Sequence, residues 1–196
     1  MSPMKKEIPI VKYFGIVLAI ISFNSCSEPA GHNSYVPAAS SIVDKQFNFH
    51  VVSPGVWRSA QPNSEALIRM KNHGLKTMIN LRGDTQTDKW ERSITDSLCL
   101  NYYNFPLDAR KEQSADTIEK ILAIMYDPGQ QPVLIHCLGG KDRTGMLAAI
   151  YQIRYMGARF EDAHREMLMY GYHEKDYPEA IQTVKRLTMP LNSLIY

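Results

Sequence analysis

Apolar residues follow two different spacings along the chain from residue 47 onward. Short segments in which they alternate or run continuously indicate strands, and segments in which they recur every three or four positions indicate helices. The predicted strands cover residues 47–52, 55–60, 75–81, 100–107 and 133–136. The predicted helices cover residues 63–74, 88–98, 114–126, 144–156, 159–170 and 178–187. Strands that alternate with helices predict an α/β fold with a mostly parallel, four- to five-stranded central sheet flanked by helices.

The last predicted strand, "VLIH" (residues 133–136), is apolar on both faces, as a strand in the middle of such a sheet must be. Ligands of parallel α/β folds bind beyond the carboxyl ends of the strands. The segment "CLGGKDR", residues 137–143, follows this strand directly. We therefore expect the functional site in this segment, within a single domain of residues 45–196.

The first 25 residues have the composition of an export signal. Three lysines precede the apolar run "YFGIVLAIISF", residues 13–23, and small polar residues follow it. This run is short, because a helix that spans a membrane needs about 20 residues. The arrangement predicts a cleaved signal peptide over residues 1–25, with a short uncleaved membrane anchor as the alternative.

Cys26 comes directly after the predicted signal, and its position resembles the lipobox of bacterial lipoproteins. The resemblance implies that Cys26 becomes the lipid-modified first residue of an exported protein, anchored in the bacterial cell envelope. Residues 26–44 are rich in Pro, Gly, Ser and Ala without periodicity, which is typical of a flexible tether. We expect contact with a membrane through this N-terminal lipid only.

The charge balance argues against nucleic acid as a partner. The chain has 22 basic and 20 acidic residues, and loss of residues 1–25 would leave equal numbers of each, whereas nucleic-acid binding needs a basic face. A disulfide between Cys99 and Cys137 is one alternative in an oxidising compartment. No cysteine pair has the spacing of a zinc site, so we expect no metal and no other cofactor. Nothing in the sequence indicates an oligomeric state.

The loop after the last predicted strand combines features that suit a phosphate group. Gly139 and Gly140 allow successive backbone N–H groups to turn towards an anion, and the N-terminus of the next helix adds positive potential. Arg143 can hold two phosphate oxygens with its guanidinium group. This setting favours Cys137 as a reactive thiolate, although a lone cysteine is more often a buried structural thiol. Lys141 is not followed by Ser or Thr, which excludes a Walker phosphate loop.

The stretch "HCLGGKDRTG" resembles the signature of cysteine-dependent protein phosphatases, in which a cysteine, five residues and an arginine precede Ser or Thr. It is most similar to dual-specificity and bacterial tyrosine phosphatase-like proteins whose loops read GKDRTG. The upstream segments "PGVWRSAQP" and "LKTMINLR" resemble the same relatives, and the likeness covers residues 47–187. The resemblance implies a phosphatase fold and the activity of a cysteine-dependent phosphatase.

The resemblance also implies a role for each residue of the loop. Cys137 is expected to be the nucleophile that forms a phosphocysteine intermediate, and Arg143 to bind the phosphoryl oxygens. The Thr144 hydroxyl is expected to stabilise the thiolate as it leaves that intermediate, and His136 to orient the loop from below. The backbone of five residues is expected to complete the phosphate-binding cradle: Leu138, Gly139, Gly140, Lys141 and Asp142.

Such a reaction also needs an acid that protonates the departing oxygen. In the resembling enzymes this acid is an aspartate upstream of the cysteine, which corresponds to Asp108 in "FPLDAR", 29 residues before Cys137. The alternative for Asp108 is a solvated carboxylate without a catalytic role. Asp142, within the loop itself, is a rival acid, and Glu112 is a more distant one.

The expected substrate is phosphotyrosine in a protein or a related phosphate ester. Lys141, together with Arg110 and Lys111 beside Asp108, favours inositol phosphates or phosphoinositides as an alternative, hydrolysed by the same mechanism. A third hypothesis is a catalytically inactive phosphate-binding module. The presence of the cysteine, the arginine and the acid argues against that hypothesis.

Three further charged residues follow or lie within predicted strands and are expected to be structural. Arg82 and Asp84 in "NLRGD" are predicted to form an ion pair that holds their loop, in preference to contacting substrate. Arg58 in "WRSAQP" is assigned a structural role as well.

Overall fold

The computed structural model describes residues 47–189. The strands are β1 His50–Ser53, β2 Val56–Ser59, β3 Thr77–Asn80, β4 Asn101–Asn104 and β5 Val133–His136. The helices are α1 Ser64–Asn72, α2 Thr85–Ser97, α3 Ala115–Tyr126, α4 Asp142–Met156, α5 Phe160–Met169 and α6 Pro178–Thr188. Every strand and helix predicted from the sequence is therefore present, with shifts at the ends.

The strands form one five-stranded sheet in the order β1-β2-β5-β3-β4. Strand β5 lies in the middle and is parallel to both β2 and β3, while β4 is parallel to β3. Within this sheet β1 alone is antiparallel, against β2. The predicted mostly parallel sheet is confirmed. Ser59 and Asn80 both pair with His136, so the carboxyl ends of three parallel strands meet where β5 ends.

Helices cover both faces of the sheet. Successive residues of a strand point to opposite sides, so alternate residues of β5 pack against different helices. Val133 and Ile135 of β5 pack into a cluster with apolar residues of α3, α4, α5 and α6. Leu134 packs into a second cluster with α1, and α2 adds partly buried side chains to it. All four residues of β5 are buried. The loop after β5 therefore begins from a strand that packing fixes on both faces.

Two element boundaries differ from the sequence prediction for identifiable reasons. Strand β1 begins at His50 and not at residue 47, because Asn48 has a φ of +46°, which is incompatible with an extended strand. Helix α2 begins at Thr85, three residues before its predicted start. The Asp84 carboxylate accepts a hydrogen bond from the backbone N–H of Thr87 at 2.7 Å, so it caps the helix at this earlier position.

The predicted signal peptide, the Cys26 lipid site and the tether of residues 26–44 lie outside the described residues. Between residues 47 and 189, no helix combines the length and the apolar character needed to cross a bilayer. The same residues contain no group of histidine, cysteine, aspartate or glutamate side chains that could hold a metal ion.

Candidate active site

Cys137 lies at the first position after β5, at the edge where the three parallel strands end. Its side chain is 2% exposed and packs within the cluster that Val133 and Ile135 form with helices α3, α4, α5 and α6. The thiol is free, so the disulfide with Cys99 that the sequence left open is not formed. A free cysteine at the floor of a glycine loop is the arrangement that the sequence predicted for the nucleophile.

The carbonyl groups of the loop are held from outside by donors of the N-terminal part of the domain. The backbone N–H of Gln61 donates to Leu138 O at 3.1 Å. The side-chain amide of Asn48 donates to Gly139 O at 3.2 Å and to Gly140 O at 3.3 Å. Because C=O and N–H point in opposite directions across a peptide unit, the N–H groups that follow these carbonyls face the other side, where an anion would bind.

Gly140 cannot be replaced without rebuilding the loop. Its φ is +67°, and a Cβ atom at this position would lie 2.5 Å from the backbone nitrogen of Ala60. The loop therefore lies directly against the end of β2, closer than any side chain allows. The sequence predicted this glycine for turning backbone N–H groups towards an anion, and the structure adds a second requirement, the close approach of the loop backbone to Ser59 and Ala60.

Arg58 supports the loop from the side of β2, and its side chain is buried. The guanidinium group is 1% exposed and donates from Nη2 to Gly140 O at 2.8 Å. It also lies 3.8 Å from the carboxylate of Glu166 and 5.0 Å from the centre of the Tyr170 ring. Burial lowers the pKa of Arg58 to about 10, and the charge of Glu166 opposes this shift. Its contacts agree with the structural role predicted from the sequence.

Helix α4 begins at Asp142 and contributes its N-terminus to the cradle. Unpaired N–H groups and the positive end of the helix dipole lie there, which favours an anion. Arg143, in the first turn, donates to the carbonyl groups of Leu81 and Leu107 at 3.3 Å each. Its guanidinium group thus lies between the end of β3 and the residue before Asp108.

Thr144 is fully buried, and its hydroxyl oxygen has no hydrogen-bond partner among residues 47–189. A buried hydroxyl without a partner is uncommon, because desolvation without a compensating bond costs free energy. The residue lies in the first turn of α4, seven positions after Cys137. This hydroxyl is therefore available for a group that binds in the cradle.

A buried polar cluster lies on the opposite face of the sheet from Cys137. His136 and Glu91 are both completely buried, with 3.2 Å between His136 Nε2 and the nearer carboxylate oxygen. Glu91 also accepts hydrogen bonds from the side chains of Gln61 and Tyr102. The other ring nitrogen of His136 lies 3.2 Å from the carbonyl oxygen of Cys137. These contacts fix the imidazole below the start of the loop, where the sequence placed it.

The three candidate acids have different surroundings. Asp108 has a side chain 49% exposed, with Oδ2 3.7 Å from the Lys111 ammonium group. The Asp142 carboxylate is 17% exposed and accepts a hydrogen bond from the backbone N–H of His173 at 3.0 Å. Glu112 forms an ion pair with Arg186 at 2.9 Å. Asp142 and Glu112 therefore hold distant segments together, whereas Asp108 accepts only a local backbone N–H, that of Arg110 at 3.0 Å, and keeps a half-exposed carboxylate.

The other basic residues that the sequence singled out lie around this opening in different ways. The aliphatic part of Lys141 packs against Gly139 and Gly171, with Cδ 3.2 Å from the position of a Cβ on Gly171. Arg110 lies over the ring of Tyr177, 5.7 Å from its centre. The predicted ion pair between Arg82 and Asp84 is present at 3.8 Å.

Three supporting residues were missed by the sequence interpretation: Asn48, Gln61 and Glu91. Asn48 lies inside a segment that reads as an alternating strand, and Glu91 lies on a polar helix whose sequence does not indicate that this carboxylate is buried. Asn48 and Gln61 lie in "NFHVV" and "WRSAQP", which precede the loop by many residues, so no local pattern connects them to it. Their function depends on contacts between distant parts of the chain.

A family model described as "DSP-PTPase phosphatase fused to NAD+ Kinase" matches residues 40–183. The chain is 27% identical over 140 residues to the dual specificity protein phosphatase TpbA of Pseudomonas aeruginosa, which is 71% of this chain and 62% of TpbA. It is 29% identical over 130 residues to the inositol diphosphatase DSP4 of Arabidopsis thaliana, 64% of this chain and 61% of DSP4. The chain thus spans about three fifths of the length of these curated relatives.

Solved structures share the fold. The crystal structure of P. aeruginosa TpbA superposes with a TM-score of 0.64 at 27% identity, covering 81% of this chain and 94% of that chain. The core catalytic domain of the PP-IP phosphatase SIW14 from S. cerevisiae, in complex with citrate, has a TM-score of 0.64 at 21% identity, covering 76% and 90%. This second likeness concerns the fold alone. Since the family model covers most of the chain, the protein belongs to the family of DSP-type phosphatase domains.

Proposed function

We propose that this protein hydrolyses phosphate monoesters, phosphotyrosine or related esters, through a phosphocysteine intermediate. The observation that carries the proposal is the free Cys137 thiol beneath a loop in which the carbonyl groups of Leu138, Gly139 and Gly140 are held outward. Membership of a phosphatase family supports it, and so does the name of the bacterial relative, a dual specificity protein phosphatase. A TpbA variant has also been crystallised in complex with pTyr.

In the first step the Cys137 thiolate attacks phosphorus, the bond from phosphorus to the ester oxygen breaks, and Asp108 gives its proton to that oxygen. The loop N–H groups, the α4 N-terminus and the Arg143 guanidinium group stabilise the charge on the phosphoryl oxygens. In the second step water attacks the phosphocysteine and gives a proton to Asp108. The departing thiolate of Cys137 accepts a hydrogen bond from the Thr144 hydroxyl, and inorganic phosphate leaves.

Asp108 is assigned as the acid because its carboxylate is half-exposed and adjoins Leu107, whose carbonyl Arg143 contacts. A general acid must reach the leaving oxygen and also exchange protons with solvent. Both Asp108 and Asp142 accept one backbone N–H, from Arg110 and His173 respectively, but the Asp142 side chain is only 17% exposed against 49% for Asp108, so Asp142 is less suited to exchange protons with solvent. Glu112 is engaged by Arg186.

A second substrate class is inositol phosphates or phosphoinositides. The plant relative is an inositol diphosphatase, and the basic side chains of Lys141, Arg110 and Lys111 lie in or next to the proposed site. Several phosphates on one ring would interact with these charges at the same time, whereas a phosphotyrosine carries a single phosphate. Substrates with more charge are also attracted more strongly to a basic opening at low ionic strength.

The test is phosphate release from a tyrosine-phosphorylated peptide, a phosphoinositide and a soluble inositol phosphate, compared through kcat/KM at two ionic strengths. We expect the phosphopeptide to be the best substrate and to depend weakly on salt. Preference for an inositol phosphate, lost in Lys111→Gln, would support the second class. Lys120→Gln is the control, because Lys120 pairs with Asp116 on α3 away from the loop. Release from none of them would refute the proposed activity.

We also propose that the protein is an exported lipoprotein of a bacterial cell envelope, with residues 1–25 removed and Cys26 carrying the lipid. The support is the basic start, the apolar run of residues 13–23 and the cysteine after it. Mass spectrometry of the native N-terminus should find a lipid-modified Cys26. Cys26→Ala should move the protein from the membrane fraction to the soluble fraction. A free N-terminus at another residue would contradict the assignment.

A further inference from the structure

The amide of Asn48 lies where three backbone carbonyl groups converge. Its nitrogen lies 3.2 Å from Gly139 O, 3.3 Å from Gly140 O and 3.0 Å from Tyr170 O. The amide oxygen lies 2.9 Å from the Nε2 atom of His50. Three acceptors on one side and an imidazole donor on the other leave the amide one orientation in which every contact is favourable.

His50 is itself fixed by the residues around it. Its ring stacks on Tyr170 with 3.5 Å between the ring centres. Burial, reinforced by the positive charge of Arg58, lowers the pKa of His50 to about 4. A neutral imidazole has only one N–H group, and hydrogen bonding to the Asn48 oxygen places that proton on Nε2.

The backbone at Asn48 is held in a conformation that most residues avoid. Its φ of +46° lies in the left-handed region, which asparagine tolerates better than other residues with a side chain. The backbone N–H of Ala60 donates to the carbonyl of the preceding residue, Phe47, at 2.6 Å. The chain thus turns away from the sheet at Asn48, the residue whose side chain reaches the loop.

We propose that Asn48 is a positioning residue for the phosphate-binding cradle, which it holds in its binding-competent shape by fixing the Gly139 and Gly140 carbonyl groups outward. The inference rests on the proposed function of the same loop. Through Tyr170 O the same amide also fixes the turn that contains Gly171, against which the side chain of Lys141 packs. Asn48 therefore couples the backbone of the cradle to the placement of its lysine.

The decisive variant is Asn48→Asp, because it keeps the shape of the side chain and replaces the donor by a carboxylate. Negative oxygens would then face the loop carbonyls, and the loop would turn or widen. We expect the dissociation constant for tungstate, an unreactive oxyanion, to rise about 10-fold to 100-fold, which is the cost of losing hydrogen bonds of this kind. We expect kcat/KM to fall by a similar factor. Calorimetry measures the first quantity and phosphate release the second.

Asn63→Asp is the matched control. Asn63 caps α1 by accepting the backbone N–H of Ala66 at 2.8 Å, and a carboxylate accepts that bond equally well. The same chemical change there should leave both tungstate affinity and kcat/KM as in the parent protein. Asn48→Gly is a second test variant, since glycine removes the amide and relieves the left-handed backbone, so that loss of folding does not obscure the result.

A purely structural role for Asn48 would lower the melting temperature and leave tungstate affinity unchanged at temperatures where the variant is folded. That outcome, in either variant, would overturn the proposal. The proposed function fails by a different result, namely a parent protein that releases no phosphate from any substrate. Tungstate binding would in that case still report whether Asn48 shapes the loop.

Discussion

The cradle after β5 and the loop that carries Asp108 lie on either side of Arg143, and they are built differently. Cys137 and Thr144 are buried, and the cradle carbonyls are bound by donors from the N-terminal part of the domain. Asp108 is half-exposed, next to an exposed lysine at 3.7 Å. A group that stabilises developing charge is more effective when its geometry is fixed and water is excluded, whereas a proton donor needs access to solvent.

The two regions also differ in what holds them. The loop of Asp108 is attached to α6, through Gln113 N–H donating to the Thr183 hydroxyl at 3.1 Å and through Arg186. The cradle is attached to the sheet and to α5. Arg143, in the first turn of α4, connects the cradle to the end of β3 through Leu81 O and to the Asp108 loop through Leu107 O. Substitutions in the cradle should therefore affect every substrate, and substitutions in the Asp108 loop should depend on the leaving group.

The largest expected effect follows Cys137→Ser. A serine hydroxyl is not ionised at neutral pH and is a poor nucleophile, so turnover of every phosphate ester should fall by at least about 10⁴-fold. Binding of inorganic phosphate or tungstate should survive, because the loop backbone is unchanged. Phosphate release and calorimetry measure the two quantities. Retention of substantial turnover would exclude Cys137 as the nucleophile.

Asp108→Asn should produce a loss that depends on the leaving group. For alkyl phosphates, which need a proton on the departing oxygen, kcat should fall by about 10²-fold to 10⁴-fold. For nitrophenyl phosphate, whose leaving group is a weak base, the loss should be much smaller. The limb of the pH profile that reports a protonated acid should disappear as well.

Asp142→Asn is the control for the acid. Its side chain accepts the backbone N–H of His173, and an amide oxygen can keep that bond, so we expect little change with either substrate. If Asp142→Asn shows the leaving-group dependence and Asp108→Asn does not, the acid lies in the cradle and the contrast between the two regions is wrong.

Thr144→Val tests the second step of the reaction. The substitution keeps the volume and removes the unpaired hydroxyl, so hydrolysis of the phosphocysteine should slow about 10-fold, the value of one hydrogen bond. Rapid mixing should show a burst of leaving group followed by slower turnover. Thr188→Val, at the end of α6, where the hydroxyl donates to Val184 O, should show no burst. A uniform loss without a burst in Thr144→Val would place the effect on the first step.

The sequence predicts the sheet, its helices and the chemistry of the loop because these depend on local patterns. Periodicity marks the elements, and the spacing of Cys137, Gly140 and Arg143 marks the cradle. The residues that hold the cradle could not be predicted in this way. Asn48 and Gly139 are 91 positions apart, and Glu91 meets His136 across the sheet.

Local patterns can also mislead at such places. The alternation of apolar residues over 47–52 predicts a longer strand than β1, and it gives no indication that Asn48 leaves the extended conformation. The positive φ results from contacts to the loop and to Ala60, which exist only in the folded protein. The general acid is predicted in part. Its separation from the cysteine along the sequence indicates Asp108, but the exposure of its carboxylate is visible only in the structure.

The smallest expected effect concerns stability and pH, and it distinguishes the support of the cradle from the Asp108 loop. The pKa of His50 is lowered from 6.5 to about 4, chiefly by burial and further by Arg58. Above pH 6.5 the folded and unfolded states both carry a neutral imidazole, so His50 adds no pH dependence there. Between pH 6.5 and 4 the unfolded state takes up a proton that the folded state refuses, and the free energy of unfolding must fall.

His50→Gln should remove this part of the pH dependence, since glutamine cannot titrate and can still donate to the Asn48 oxygen. We expect the loss of stability between pH 6.5 and 4 to shrink by about 1 kcal/mol, less than the full shift would give because solvent screens a partly exposed group. Urea unfolding at a series of pH values measures it. An unchanged slope in His50→Gln would show that the imidazole accepts its proton freely, and that the outer support of the cradle is as open to solvent as the loop of Asp108.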